Sequence, residues 1–326
     1  MNRISAIACL SVCLAILPAH AEEKQQPKTW TDPKAAGAED PDFLIQGEYQ
    51  HVAMGAQVVA LGDGTFDVYF LEGGLPGAGW EPGKARTIVK GLRNGESAET
   101  GGVTVSLEKG FITLKDPAGE LRKLTRIDRE SPTLGAKPAE GAVVLFDGTH
   151  ADEWENGKVE DGLLQATGST TKKSFGDYHL HLEFRTPYMP AARGQGRGNS
   201  GIYHSGRWET QILDSFGLEG KDNETGGIYS VAEPRLNMCL PPLAWQTYDV
   251  DFTATKFDAE GKRTAWPRIT VKLNGVTVHE DLEITKDNTG SAPLSKPLTS
   301  PEGPIFLQNH GNPVVFRNIW IVSGKP

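Results

Sequence analysis

Glu209 and Gln211 stand two apart in the stretch Trp208–Asp214, WETQILD. On an extended strand they share one face, while Trp208, Thr210 and Ile212 take the other. A carboxylate beside an amide on one sheet face suits a sugar-handling cleft, where the acid moves protons and the amide binds hydroxyls. Spacing alone leaves a plainer reading open, in which Glu209 faces water on an outer sheet. His179 and His181 are spaced in the same way inside YHLHLEFRT. Two histidines without a third ligand nearby read as a solvated or cleft-lining pair, and residues 42–130 offer no His, Asp or Cys cluster at metal-ligand spacing. The glycines of Arg193–Gly198 lack the strand-and-helix surroundings, or the lysine, of a nucleotide loop.

Those side chains need strands to hold them. Gly198–Asp214 reads as two short strands joined by a tight turn, and Tyr178–Thr186 alternates apolar Tyr178, Leu180, Leu182 and Phe184 with polar neighbours. Val143–Phe146 and Trp245–Thr253 read as strands, and Asp161-Gly162 and Asn274-Gly275 mark hairpins. Pro304–Gln308 and Val314–Val322 close the chain; in the latter, simple alternation sets Val315, Arg317, Ile319 and Ile321 against Val314, Phe316, Asn318 and Trp320. The irregular excursion Asp214–Leu243 offers Phe216, Tyr229 and Arg235 as wall residues. No stretch of helical period and useful length follows the chain start, so the pattern predicts a twisted sandwich of two antiparallel sheets over 143–322.

Upstream, 42–130 reads as a small all-β module. It carries a hairpin of Gly55–Leu61 and Thr65–Leu71 and further strands at Gly102–Leu107, Phe111–Lys115 and Leu121–Arg126. Residues 131–142 have linker composition, and 22–41 read as a flexible, extended leader with Trp30 as a candidate anchor. Residues 1–21 have the charged start, apolar run and Ala19-His20-Ala21 site of a signal peptide, too short for a membrane span, so the chain is expected to be exported to the periplasm or beyond. Of three cysteines only Cys239 lies past that segment, which rules out an internal disulfide in the exported chain. A net charge of −9 argues against nucleic acid or an anionic membrane as partner. Thirty-eight glycines and 21 prolines favour short strands with tight turns.

LFDG at Leu145–Gly148, VEDGLLQA at Val159–Ala166, FGDYHLHLEFRTP at Phe175–Pro187, GNSGIYHSG at Gly198–Gly206, WETQILD, LNG at Leu273–Gly275 and LQNHGNPVVFRNIWI at Leu307–Ile321 follow one another in the order seen in a known family. Over roughly 142–323 the chain resembles the 3-keto-disaccharide hydrolase domain family. That resemblance implies a concanavalin-like jelly roll of two antiparallel sheets, preceded here by the small β-rich domain, with sugar held on a concave face. It implies small oligosaccharide or glycoside substrates oxidised at C3. It carries Glu209 and Gln211 onto the family's concave-face strand, Asn199 into its GNSG turn, His310 into its QNHG turn and Arg317 into the strand that follows; Glu209 and His310 are the expected catalytic residues, and Asn199, Gln211, Arg317, Tyr203, Gln308 and Tyr229 the expected substrate-binding ones. Relatives with tyrosine before the glutamate differ from this chain at Trp208.

An ordinary glycosidase needs two carboxylates flanking the scissile bond, whereas a C3 ketone makes the C2 proton acidic enough for a single base. Either His310 or Glu209 would take that proton, with elimination of the C1 substituent and hydration of the enone to follow. Asn199, Gln211 and Arg317 would orient the sugar or stabilise the oxyanion. No cofactor is implied, although a divalent cation could hold a ketone–hydroxyl pair. A non-catalytic carbohydrate-binding or cell-envelope module and a conventional glucanase are the competing readings.

Overall fold

The computed structural model describes residues 28–93, 96–98 and 103–324; the signal-like segment and the first residues of the leader lie outside them. The architecture is all-β, built of several antiparallel sheets. One eight-stranded sheet runs in the order Arg86–Leu92, Thr65–Glu72, Met54–Gly62, Gly47–His51, Leu121–Ile127, Phe111–Lys115, Thr104–Glu108, Glu96–Ala98. Period-two patterning decides its inner face: Phe66, Val68 and Phe70 from one strand meet Ala56, Val58 and Ala60 from the next. A bridge between Arg93 and Leu107 brings the two ends together, so the sheet nearly closes on itself. Gly91 permits that approach, because a side-chain carbon there would lie 2.6 Å from Leu107 Cδ1.

The leader is not extended over its described part. Residues Pro33–Glu39 form a short helix, capped by Asp32 accepting from the Ala35 amide, with Pro33 in the first turn. Its Ala36, together with Trp30, plugs the near-closed sheet alongside Tyr188 and Leu243 from further along the chain. The strands Gly47–His51 and Arg86–Leu92 add to those read from the sequence. Glu48 is buried because Arg129 meets it with two hydrogen bonds of 2.6 Å.

Beyond residue 142 two sheets share one apolar cluster. The larger contains Tyr178–Arg185, Gln246–Thr253, Arg268–Leu273, Val276–Glu283 and Val315–Ser323 among its strands. The smaller runs Trp154–Glu155, Ser169–Thr171, Phe306–Leu307, Ser200–His204, Trp208–Ile212. Leu180, Leu182 and Phe184 from the first meet Ile202, Trp208 and Ile212 from the second. Residues 131–136, read as linker, are tied to the outer face of the larger sheet: Ser131 bonds Thr247 (2.6 Å), Thr133 bonds Asp249 (2.7 Å), and the Gly135 amide donates to Glu183 (2.6 Å). Proline and glycine signal irregular backbone, but the serine and threonine between them supply the anchors.

Candidate active site

The strands Ser200–His204 and Trp208–Ile212 are joined by Ser205 and Gly206, both with positive φ (51° and 63°), and the Arg207 amide closes the turn on the His204 carbonyl at 3.0 Å. With Arg207 as the third residue of the connection, His204 pairs with Trp208, and this register sets Tyr203 opposite Glu209 and Gly201 opposite Gln211. Ile202, Trp208 and Ile212 point into the core, so Asn199, Gly201, Tyr203, Glu209 and Gln211 share the other face. On one side Phe306–Leu307 pairs with Ser200–His204, and the chain runs on to Gln308, whose amide bonds the Gly201 carbonyl at 2.9 Å. On the other side the excursion after Asp214 returns, with the Tyr229 amide on the Glu209 carbonyl at 3.0 Å. A long segment after Glu283 folds back over the turn: the Thr289 amide bonds the Arg207 carbonyl, and Thr289 Oγ1 accepts from the Glu209 amide, both at 2.9 Å.

These elements enclose a pocket of about 40 Å³ lined by Asn199, Glu209, Gln211, Tyr229, Gln308 and His310. Gln195 and Ser291 complete it. Glu209 is 2% exposed. Burial pushes its carboxyl up to about 7, against the opposing pull of the Tyr203 hydroxyl, which donates to Oε2 at 2.8 Å. Among the described residues Glu209 Oε1 has no hydrogen-bond partner, and neither do Asn199 Oδ1 and Gln308 Oε1, although all three residues are buried. The amide orientations follow from their donors: Asn199 Nδ2 is spent on the Gln195 carbonyl (2.9 Å) and Oε1 (3.0 Å), and Gln308 Nε2 on the Tyr203 hydroxyl (3.0 Å). A buried acceptor left unpaired costs about 1–3 kcal/mol, so three at one pocket call for a ligand rich in donors, such as hydroxyls. His310 stands exposed at the rim and makes no hydrogen bond to the described residues.

Two residues expected to bind substrate are placed elsewhere. Tyr203 is fully buried and does not line the pocket; its hydroxyl is occupied by Glu209 and Gln308. Arg317 lies on the outer face of the larger sheet, bonded to Glu183 at 2.6 Å and stacked 3.9 Å from the Trp245 ring. Simple alternation failed there because Asn318 adopts φ 45° and the pairing slips between His181 and Glu183. Both Arg317 and Asn318 then face outward, while Phe316, Ile319 and Ile321 all stay in the core. His179 and His181 occupy the same outer face, paired with Asp251 and Asp249 at 2.6 Å each. Asp214 pairs with Arg197 at 2.7 Å. Of the proposed wall residues only Tyr229 reaches the pocket: Phe216 packs with Val59 and Tyr69, and Arg235 bonds the Thr277 carbonyl.

Sequence reasoning missed Gln195 and Ser291. Gln195 sits in the glycine-rich loop set aside as a nucleotide site, and its side chain, accepting from Asn199 and Gln211 (3.2 Å), is the hub of the amide cluster. Ser291 lies in a stretch with no periodic signal.

Larger cavities exist, and in two of them the buried acid is ion-paired. One of about 360 Å³ beside Trp30 contains Asp42, which faces Arg93 at 3.3 Å and accepts from the Gly64 amide. Another of about 460 Å³ contains Glu183, held by Arg317, Asn318 and Gly135. Among the described residues, no group of three or more His, Cys, Asp or Glu is placed to hold a metal ion.

Comparison with known proteins adds an independent line. The 3-keto-alpha-glucoside-1,2-lyase-like domain matches residues 141–322. A Parabacteroides distasonis ATCC 8503 protein classed provisionally as a glycosyl hydrolase, solved at 2.13 Å, is 34% identical, covering 57% of this chain and 84% of its own, with a TM-score of 0.51. Two more proteins of that organism and provisional class are 19% and 24% identical, cover 57% and 56% of this chain and 95% and 99% of their own, and each superpose with a TM-score of 0.42. Curated proteins give no match.

Proposed function

The chain belongs to the 3-keto-alpha-glucoside-1,2-lyase-like domain family, a glycosyl-hydrolase-like family, through residues 141–322, and on that premise we propose that it cleaves the glycosidic bond of 3-keto-glycosides by elimination followed by hydration. The observation that carries this reading is a single buried carboxylate, Glu209, with one free oxygen facing a pocket whose lining includes no second Asp or Glu among the described residues. A conventional glycosidase needs two. A 3-keto sugar needs one base for C2 and one acid for the leaving oxygen.

In this reading ionised Glu209 takes the C2 proton, and the C–H electron pair moves into an enolate delocalised onto the C3 oxygen. Collapse of the enolate restores the ketone, forms the C1–C2 double bond and expels the C1 substituent. His310, exposed at the rim where the leaving half must depart, protonates its oxygen. Water then adds at C1 while C2 regains a proton, so the sum is glycoside plus water giving 3-keto sugar plus alcohol. Asn199 and Gln308 accept from ring hydroxyls through their unpaired oxygens, and Gln211 and Tyr229 flank them. As it stands, the pocket has room for about one water. The sugar therefore seats the C1–C3 edge, and Ser291 and Tyr229 give way on entry, as loop residues over active sites do. The concanavalin-like jelly roll is the finer fold assignment that accompanies this proposal.

Incubation with a 3-keto-disaccharide beside its unoxidised parent, in deuterated water, tests it. The expected outcome is consumption of the oxidised sugar alone, with deuterium at C2 of the product. Cleavage of the parent at a comparable rate, or binding without turnover of either, would overturn it.

A further inference from the structure

The hydrogen bonds behind Glu209 form a short chain with one sense: Gln308 Nε2 donates to Tyr203 Oη at 3.0 Å, and Tyr203 Oη donates to Glu209 Oε2 at 2.8 Å. We propose that Tyr203, backed by Gln308, is a positioning residue that ties Oε2 of Glu209 and leaves Oε1 as the atom through which the proton is exchanged with substrate. The proposal rests on the reading of Glu209 as the base.

Three features carry it. First, Tyr203 faces Glu209 directly across the strand pair, is fully buried, and is held edge-on by Phe306 with ring centres 5.5 Å apart. Its hydroxyl therefore has a fixed place, and with its proton given to Glu209 and an accepted bond from Gln308 it has no further donor for a ligand. Second, Oε1 lies over Gly201, where a side-chain carbon would come within 2.1 Å of it. The glycine is the space in which Oε1 rests, and no donor among the described residues reaches that oxygen. Third, the Glu209 backbone is clamped on both sides, its amide by Thr289 Oγ1 and its carbonyl by the Tyr229 amide, so the side chain starts from a fixed root.

The chemistry follows from the asymmetry. When Glu209 is ionised, Tyr203 stabilises the charge at Oε2. When Glu209 is protonated, Oε2 still accepts from Tyr203, so the proton resides on Oε1, facing the pocket. Both states keep the same bond to Tyr203, and proton transfer proceeds without rotation of the carboxyl. Loss of a donor to the ionised form raises a carboxyl pKa, by about one unit for a single bond.

The test is Tyr203→Phe in the full chain, which keeps the ring and removes the hydroxyl. The acid limb of the pH–kcat profile is expected to move up by about one pH unit, and kcat at its plateau to fall about tenfold, with KM within a factor of about two. Gln308→Ala, which leaves Tyr203 donating but frees its other side, is expected to move the limb the same way by less. Infrared difference titration of the carboxyl band, with Glu209→Gln as the blank, reads the same shift without any substrate. A moved band without 3-keto-glycoside turnover would retain the positioning role while sinking the proposed reaction. A band and a limb unmoved in Tyr203→Phe would overturn the positioning role. If Tyr203→Phe fails to fold, an unmoved band in Gln308→Ala overturns it instead.

Discussion

Replacing Glu209 by Gln should make the protein more stable at alkaline pH while removing its activity, because the folded state holds this carboxyl at an unfavourable protonation. Its ordinary value is 4.5 and burial pushes it up to about 7. The sign is opposite to that of a salt-bridged acid. A carboxyl whose folded value is raised makes the native state bind the extra proton, so stability is highest below about 4.5, falls as pH climbs to about 7, and is level above that. At ~1.4 kcal/mol per pH unit, the interval of roughly 2.5 units (7 − 4.5) gives about 3 kcal/mol as a ceiling, since the group is only 2% exposed but water entry would relieve part of it. Gln keeps an oxygen for the Tyr203 hydroxyl and does not titrate. The stability difference between Glu209→Gln and wild type should therefore widen by up to ~3 kcal/mol between pH 4 and pH 8, or about 6–12 °C in Tm. Thermal melts across that range check it, and curves that run parallel at every pH would refute the reasoning. On the proposed reaction, the variant should lose at least ~100-fold in turnover, and wild-type kcat/KM should rise about tenfold per pH unit up to about 7.

Further outcomes are expected from the same geometry. Gly201→Ala would set a carbon 2.1 Å from Glu209 Oε1 and 2.9 Å from its Cγ; turnover of a 3-keto-glucoside should fall by at least ~10-fold and stability by about 1–3 kcal/mol, and unchanged kinetics would show that Oε1 is not confined there. Arg317→Ala should leave kcat and KM within about twofold, because Arg317 pairs with Glu183 on the outer face, yet lower stability by about 1 kcal/mol in urea titration; a large kinetic effect would return it to the site. Cys239 is buried and its thiol is pushed up to about 12 by burial, so a thiol-alkylating reagent at pH 8 should label it only after unfolding; rapid labelling of the native protein would contradict that burial.

What the sequence made legible was what local rules govern. Period-two alternation put Glu209 and Gln211 on one face and Trp208 and Ile212 on the other, and the positive-φ pair Ser205-Gly206 is the turn that Gly206 announces. The same rule erred in the last strand, where it grouped Arg317 with Ile319 and Ile321: one bulge residue shifts every later side chain by one face, and Asn318 carries no mark distinguishing it from an ordinary strand asparagine. Tyr203, expected to bind substrate, does lie on the same sheet face as Glu209 and Gln211. Alternation is silent on depth, and Phe306 and Gln308 from a distant strand cover the ring and cap its hydroxyl. Gln195 escaped for a related reason: its side-chain partners Gln211 and the Asn223 carbonyl are brought to it only by the fold. The Glu183 site shows it best, with Gly135 from one distant segment and Arg317 and Asn318 from another gathered around it.

The near-closed sheet of the first module has a direct mechanical link to the pocket. The loop that carries Gln195 and Asn199 is held from behind by that sheet: Arg193 Nη2 donates to the Leu61 carbonyl at 3.0 Å and Arg197 Nη1 to the Ala60 carbonyl at 3.4 Å. Arg197 is itself fixed by Asp214 at the end of the Glu209 strand segment, and the Asp214 amide returns to the Arg197 carbonyl at 3.0 Å. Tyr188 and Leu243, at either end of the surrounding chain, are buried in the core of the first module rather than that of the second. A glycine-rich loop is entropically costly to order, and here the order comes from two guanidinium groups anchored on a neighbouring sheet. The amide cluster of Gln195, Asn199 and Gln211 thus depends on residues more than a hundred positions upstream. Loss of the Arg193 and Arg197 anchors would release the wall of the pocket from that sheet.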